Sequence, residues 1–290
     1  MTAPSLHVAA IQHDIAWERK PVNHATVESM IERAGLPEGT LVALPELFDT
    51  GFSLELETIV DETTIPWAAD CARRHRIQLV ASDARIGADA RGRNCATIVR
   101  ADGSVAGTYE KLHPFSFGRE GERYSGGDHL LLATVGGARV APLICYDLRF
   151  PEAWRLAALA GAEVFVIGAN WPDARQAHWR ALCIARAIEN QAFVVAVNRV
   201  GRDPTLSYAG GSLIVDPRGT VLAEAGCEPE VLQATLDLDG LRAWRRDFPA
   251  LRDVRRGFLG EAAIVSGRAA ATVAGAATVA GMAADAAPSP

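Results

Sequence analysis

Nine short strand-like runs recur along the chain, and no other feature limits its fold as strongly: LHVAAIQ at 6–12, TLVALPE at 40–46, IQLVASD at 77–83, NCATIVR at 94–100, ARVAPLIC at 138–145, AEVFVIGAN at 162–170, AFVVAVN at 192–198, SLIVDP at 212–217 and LQATLDL at 232–238. Most are continuously apolar, as strands covered by helices on at least one face should be. Between them, at roughly 21–35, 64–76, 151–161, 174–191 and 239–247, apolar residues fall three and four apart, the helical period. Pro21 and Pro151 suit first-turn positions, and Gly35 and Gly161 suit C-terminal caps. The alternation runs to residue 247 with no Ser/Pro-rich linker, which predicts a single α/β domain over residues 1–260. Taken alone, the pattern fits a Rossmann-type sheet, a barrel or a layered sandwich. No G-x-G-x-x-G opens a helix after a strand and no G-x-x-x-x-G-K-[ST] occurs, so the nucleotide-binding versions lack their phosphate cradle.

The 290 residues carry a net charge of -6, and this acidic balance argues against non-specific nucleic-acid binding. Seven His and five Cys form no C-x-x-C and no H-x-x-x-H pair, so neither a structural zinc nor a disulfide framework is expected, and no metal or cofactor is called for. An odd cysteine count fits a reducing compartment, and the expected location is the cytoplasm. The first residues have no basic start followed by a long apolar run, and they read as a strand. From Glu261 the composition shifts: thirteen of the last thirty residues are Ala, and only Glu261, Arg268 and Asp285 are charged. Ala, Gly, Ser and Thr are weakly apolar and Arg268 interrupts the run, so 261–290 is expected to be a loose tail rather than a membrane anchor. A short helix docked on a partner is the minority alternative.

Three reactive residue types stand where strands end. Glu46 follows LVALP, Lys111 follows a strand region at 104–109, and Cys145 ends VAPLIC just before the helix that Pro151 begins. Strand C-termini in α/β proteins point into the crevice where ligands bind. Each residue alone has an ordinary explanation: a buried small hydrophobe, a surface carboxylate, a solvated ammonium.

Together with their surroundings they say more. LPELFDTGF, EKLHPF and ICYDLRFPE resemble the three blocks that define the nitrilase, or carbon-nitrogen hydrolase, superfamily, and the likeness continues through GANWPDARQAHW, ARAIENQAFVVAVNRVG and VDPRGTVLAEAG, over about residues 6–256. Pro114 is a departure, standing where many relatives have Leu. The resemblance implies a four-layer α-β-β-α sandwich and hydrolysis of a linear carboxamide through a cysteine thioester. It assigns Cys145 as nucleophile, Glu46 as base and later acid, and Lys111 with the Tyr146 N–H as oxyanion donors. A second carboxylate is expected from Glu120 rather than Glu122, holding Lys111 and positioning the amide. Asn170, Trp171 and Arg175 are expected to wall the pocket, with Arg175 gripping a substrate carboxylate.

The branch it most resembles is that of the omega-amidases, acting on 2-oxoglutaramate or 2-oxosuccinamate. Deaminated-glutathione amidase and N-carbamoyl amidohydrolases are the neighbouring alternatives. A cysteine peptidase would need a His base, for which no local signature exists, and a non-enzymatic binding module of the same fold would have no use for the three reactive groups. His113 and His178 are expected to make local hydrogen bonds, and Asp147 and Arg149 to fix the turn around Cys145. A homodimer is expected through the helices at 151–161 and 174–191, which carry Trp154, Leu156, Leu159, Trp179, Leu182, Ile184 and Ile188.

Overall fold

The computed structural model describes residues 5–267. The first half contains β1 (Ser5–Gln12), α1 (Lys20–Ala34), β2 (Leu41–Ala43), α2 (Leu56–Ile59), α3 (Thr64–His75), β3 (Gln78–Ile86), β4 (Gly92–Val99), β5 (Val105–Glu110) and α4 (Glu120–Arg123). Then follow β6 (His129–Val135), β7 (Ala138–Ile144), α5 (Pro151–Leu159), β8 (Val164–Ala169), α6 (Gln176–Asn190) and β9 (Phe193–Asn198). The remainder comprises β10 (Val200–Arg202), β11 (Ser207–Ala209), β12 (Leu213–Val215), β13 (Val221–Glu224), β14 (Glu230–Asp237), α7 (Leu238–Asp247) and β15 (Ala263–Ser266).

Two mixed sheets result. One has the order β14-β1-β2-β3-β4-β5 and the other β13-β12-β9-β8-β7-β6-β15, with β10 and β11 forming a separate ribbon. At the centre of the first sheet β1, β2 and β3 run parallel, and at the centre of the second so do β7, β8 and β9. Their C-terminal ends deliver the loops that follow Ala43 and Ile144.

The strand period of two explains how the layers form. On β1 and β2, Val8, Ala10, Leu41 and Ala43 face the second sheet in one core cluster. Their neighbours Ala9, Ile11, Val42 and Leu44 face outward, packing on Val27, Met30 and Ile31 of α1 and Ala68, Cys71 and Ala72 of α3. On the far side Trp154 of α5 and Trp179 and Cys183 of α6 close over the second sheet. The result is an α-β-β-α sandwich in one domain. Gly35 caps α1 in the left-handed conformation, and Pro151 stands in the first turn of α5.

Three features depart from the expectations. Strands β6 and β13 stand outside the nine apolar runs. Residues 263–266, inside the segment expected to be loose, form β15, which pairs in parallel with β6 over Ala263↔His129 to Ser266↔Leu132; residues 268–290 lie outside the described part. Of the seven apolar residues assigned to a dimer face, Trp154 and Trp179 are fully buried in the core, whereas Leu156, Leu159, Leu182 and Ile184 are half-buried and Ile188 is exposed. No helix among the described residues is long and apolar enough to cross a membrane.

Candidate active site

Glu46, Lys111, Cys145 and Glu120 come from four separate segments, and backbone strain marks where three of them sit. Leu47, immediately after Glu46, has φ 44°; Arg119, immediately before Glu120, has φ 61°; Cys145 itself has φ 43°. Residues with side chains rarely occupy this region, and they persist there when the surroundings over-determine them. Gly168 on β8 brings the second sheet against the Glu46 loop: a Cβ there would lie 2.5 Å from the Leu44 carbonyl oxygen and 2.9 Å from the Glu46 nitrogen.

Lys111 Nζ donates to Glu46 Oε1 at 2.7 Å and to Glu120 Oε2 at 2.8 Å. All three side chains are sealed from solvent. The Phe115 N–H also donates to Glu120 Oε2, at 2.5 Å. Asn170 secures the other side of Glu46: its backbone N–H reaches Oε2 at 3.0 Å and its side-chain amide reaches the Glu46 carbonyl oxygen at 2.6 Å. The Cys145 thiol lies 3.9 Å from the Asn170 carbonyl oxygen. Glu122, by contrast, is exposed and paired with Arg119. One further residue, Asn94 of β4, reaches both carboxylates, 2.9 Å from Glu46 Oε1 and 3.0 Å from Glu120 Oε1.

Electrostatics separates the two carboxyl groups. Burial pushes Glu46 upward, but the Lys111 charge and the hydrogen bonds from Lys111 and Asn170 outweigh it and hold the carboxyl below its ordinary value. Burial dominates at Glu120, which is held above it despite Lys111. Burial and the charge of Glu46 push the Cys145 thiol well up. Burial disfavours the Lys111 ammonium, yet Glu120 and Glu46 together keep it charged far into the alkaline range. The resting arrangement is therefore a thiol beside a carboxylate base, with an ammonium between the carboxylates. Two of the three ammonium N–H groups are engaged, which leaves one for a developing oxyanion. The N–H of Tyr146 belongs to the first turn of a 3-10 segment, Cys145–Arg149, where backbone donors have no intrahelical partner.

The turn carrying Cys145 is braced from several directions. Asp147, fully buried, accepts from the Ile144 N–H at 3.0 Å, the Tyr109 hydroxyl at 2.7 Å and the His113 ring at 2.8 Å. His113 stacks on Phe150 with ring centroids 3.8 Å apart. Trp154 Nε1 donates to the Asp147 carbonyl oxygen and Arg186 of α6 to that of Leu148, at 3.0 and 2.7 Å. Asp147 thus braces the turn, the part expected of it and of Arg149, and His113, expected only to make a local hydrogen bond, makes that bond to Asp147. Arg149 instead stacks over Trp171 and meets His178 at 3.3 Å.

The carbon-nitrogen hydrolase profile matches residues 7–246. The chain belongs to the carbon-nitrogen hydrolase family. It is 36% identical to a 2-oxoglutaramate amidase of Bacillus subtilis over 253 residues, covering 86% of this chain and 97% of that protein. It is 32% identical to an omega-amidase of Escherichia coli K12 over 254 residues, covering 86% and 97%. A crystal structure from Xanthomonas campestris, described as a CN-hydrolase superfamily protein with an arsenic adduct in the active site, superposes with a TM-score of 0.82 at 33% identity, covering 88% and 99%.

In this carbon-nitrogen hydrolase the reactive groups open into a cavity of about 350 Å³ that Glu46, Lys111 and Cys145 line together. Tyr146, Asn170, Trp171 and Arg175 all line it too. Their side chains differ in availability. The Asn170 amide nitrogen is spent on Glu46 while its Oδ1 is buried without a hydrogen-bond partner among the described residues, and Trp171 is buried with its indole N–H on the Arg175 carbonyl oxygen at 2.9 Å. The Arg175 guanidinium sits 5.7 Å from the Phe115 ring centroid, and it has no carboxylate within ion-pair distance among the described residues. Asp173, the neighbour that could have neutralised it, accepts instead from the Ser207 hydroxyl. Sequence reasoning missed other wall residues, Leu206 of the β10–β11 loop, Tyr208 of β11 and Trp17 before α1, which no motif marks. It also missed Asn94, although strand alternation places that residue on the inter-sheet face with Ala96 and Ile98. Outside the cavity, Glu28, Cys71 and His75 bring potential metal-ligating atoms within 4.8 Å of one another, but Glu28 is already paired with Arg74 and Cys71 is sealed in the core.

Proposed function

We propose that this carbon-nitrogen hydrolase is an omega-amidase, removing ammonia from the terminal amide of a short dicarboxylate monoamide of the 2-oxoglutaramate or 2-oxosuccinamate type. The observation that carries the substrate class is Arg175: a guanidinium without an acidic partner among the described residues, in the cavity that holds Cys145, can take a carboxylate in two parallel hydrogen bonds. The relatives named omega-amidase and 2-oxoglutaramate amidase support the same reading.

The chemistry follows from the geometry. Glu46 takes the Cys145 proton as sulfur attacks the amide carbon, and the oxyanion is received by Lys111 and the Tyr146 N–H, donors of a kind worth about 2.7–4 kcal/mol each. Glu46 returns the proton to the departing nitrogen, ammonia leaves, and a thioester remains. Water then loses a proton to Glu46 and attacks the thioester carbon. Collapse expels sulfur, which recovers the proton, and the carboxylate product departs. Glu120 holds Lys111 between the two carboxylates throughout. Exposed Ile188 and half-buried Leu182 and Ile184 on α6 support a homodimer, and the five free cysteines are in keeping with a cytoplasmic location.

The test is ammonia release from ω-amides bearing a free carboxylate, from uncharged amides, from N-carbamoyl amino acids and from nitriles. The carboxylate-bearing ω-amides should give the highest kcat/KM. A preference for N-carbamoyl compounds or nitriles would overturn the assignment.

A further inference from the structure

Asn94 closes a ring that the residues discussed so far leave open. The Lys111 ammonium bridges Glu46 and Glu120 on one side, through Glu46 Oε1 and Glu120 Oε2. On the other side a single nitrogen, Asn94 Nδ2, reaches Glu46 Oε1 and Glu120 Oε1. That nitrogen carries two hydrogens, one for each carboxylate. The opposite orientation of the amide would set its oxygen against two carboxylate oxygens, so the acceptors themselves decide which way it points. The backbone carbonyl of Asn94 is fixed as well, accepting the Lys111 N–H at 2.8 Å. One group is left over: Asn94 Oδ1 is buried with no hydrogen-bond partner among the described residues.

Two buried carboxyl groups this close would ordinarily share one proton, and the shared proton would disable either as a base. An ammonium between them resists this on one side only. An amide N–H neither accepts nor releases a proton here, so a second donor bridge stabilises both groups as anions and fixes their separation. We propose that Asn94 is a positioning residue of the amidase reaction, whose two N–H groups keep Glu46 and Glu120 from joining through a proton and so leave Glu46 free to take the proton of Cys145.

The charged and titratable groups around the pair are few. Lys111 faces it from the end of β5, Cys145 from the nucleophile turn and Tyr124 from the end of α4. On the strands themselves Asp83 is paired with Arg85, and Glu110 with Arg93. None of these can replace the second bridge.

The inference rests on Glu46 acting as the base for Cys145, so the experiment first measures that. Iodoacetamide alkylation of Cys145 is followed against pH in the full-length wild type, Glu46→Gln, Asn94→Leu and Asn94→Asp, alongside kcat and KM for amide hydrolysis. In the wild type, alkylation should fall away through an acid limb that Glu46→Gln abolishes; if Glu46→Gln keeps the limb, the base assignment itself fails. Asn94→Leu retains the volume without the donors. Its acid limb should move up by about one pH unit, and kcat should fall about a hundredfold with KM changed less than about threefold, the pattern of a lost base rather than a lost binding contact. A folded Asn94→Leu with the wild-type limb and kcat would overturn the role of Asn94 while leaving Glu46 in place. Should that variant not fold, Asn94→Asp decides: it matches Asn in size but adds a third carboxyl group, and should show the same upward displacement. A wild-type pH profile in Asn94→Asp overturns the proposal equally.

Discussion

The Tyr109 hydroxyl donates a 2.7 Å hydrogen bond to Asp147 Oδ2, tying the strand that delivers Lys111 to the turn that carries Cys145. The two belong to different sheets, so this bond fixes the Cys145 turn relative to Lys111. Tyr109→Phe keeps the ring and removes the donor. We expect a stability loss of about 1.5–3 kcal/mol, the scale of hydrogen bonds to charged groups, read by urea unfolding. The kcat should drop about tenfold, since small misplacements of reacting groups are costly. An unchanged kcat in a destabilised protein would show that Asp147 holds the turn through Ile144 and His113 alone.

Cys145→Ala should abolish ammonia release with the fold intact, because the truncated side chain lies at the cavity wall. Residual activity above about a hundredth of wild type would rule out covalent catalysis at this residue. Glu46→Gln should be equally inactive. A normal burst of acyl-enzyme in that variant would restrict Glu46 to deacylation.

Stability should carry a separate pH signature from the buried groups behind the Glu46 loop. Burial lowers His13 to about 4 in the folded protein, against 6.5 when unfolded. Below pH 6.5 the unfolded chain therefore binds a proton that the folded chain does not, and stability is lost as pH falls toward 4. Asp49 works in the other sense: burial raises it to about 6 from 3.8, with Lys20 offsetting part of the rise, so stability is gained as pH falls through 6. Between pH 7 and 5 the stability of wild type relative to His13→Gln should fall by about 2 kcal/mol. Relative to Asp49→Asn it should rise by about 1 kcal/mol. Parallel pH curves for all three proteins would contradict both assignments.

Much of this arrangement was legible in the sequence because short-range rules governed it. Continuous apolar runs marked the central parallel strands, and strand ends placed Glu46, Lys111 and Cys145. The choice of Glu120 over Glu122 came from resemblance alone, and the structure explains it: one faces Lys111 at the start of α4 and the other faces solvent. What escaped depended on distant packing. Strand β13 alternates between half-buried and exposed residues, so it forms no apolar run. In β6, Leu130, Leu131, Leu132 and Ala133 are good helix formers held extended by their neighbours. Strand β15 is exposed along its whole length and acquires its structure only by pairing with β6. Asn94 showed no signal stronger than one polar residue on an inward-facing strand position.

The dimer can be tested independently of catalysis. Ile188 is 50% exposed on α6, flanked by half-buried Leu182 and Ile184, a combination that self-association would cover. Sedimentation should give twice the 30.9 kDa chain mass, and Ile188→Asp should shift the protein toward monomer. A fully active wild-type monomer would defeat the expectation.

The proposed substrate class turns on Arg175. Its guanidinium lines the Cys145 cavity beside Phe115, and Asp173 is occupied by Ser207, so a bound carboxylate would meet a cation without displacing an internal partner. Fixing that carboxylate would set the far amide of a short dicarboxylate monoamide against the thiol. Arg175→Ala should therefore raise KM for 2-oxoglutaramate by about thirty- to a hundredfold, the equivalent of roughly 2–3 kcal/mol for a charge-assisted pair. Hexanamide, which has no carboxylate, should be hydrolysed nearly as before. Arg175→Lys should recover only part of the loss, because an ammonium cannot make the planar two-point contact. Equal losses on the charged and uncharged amides would mean that Arg175 supports the loop after β8, and the carboxylate preference would need another cation, for which Arg149, stacked on Trp171 at the cavity wall, is a candidate.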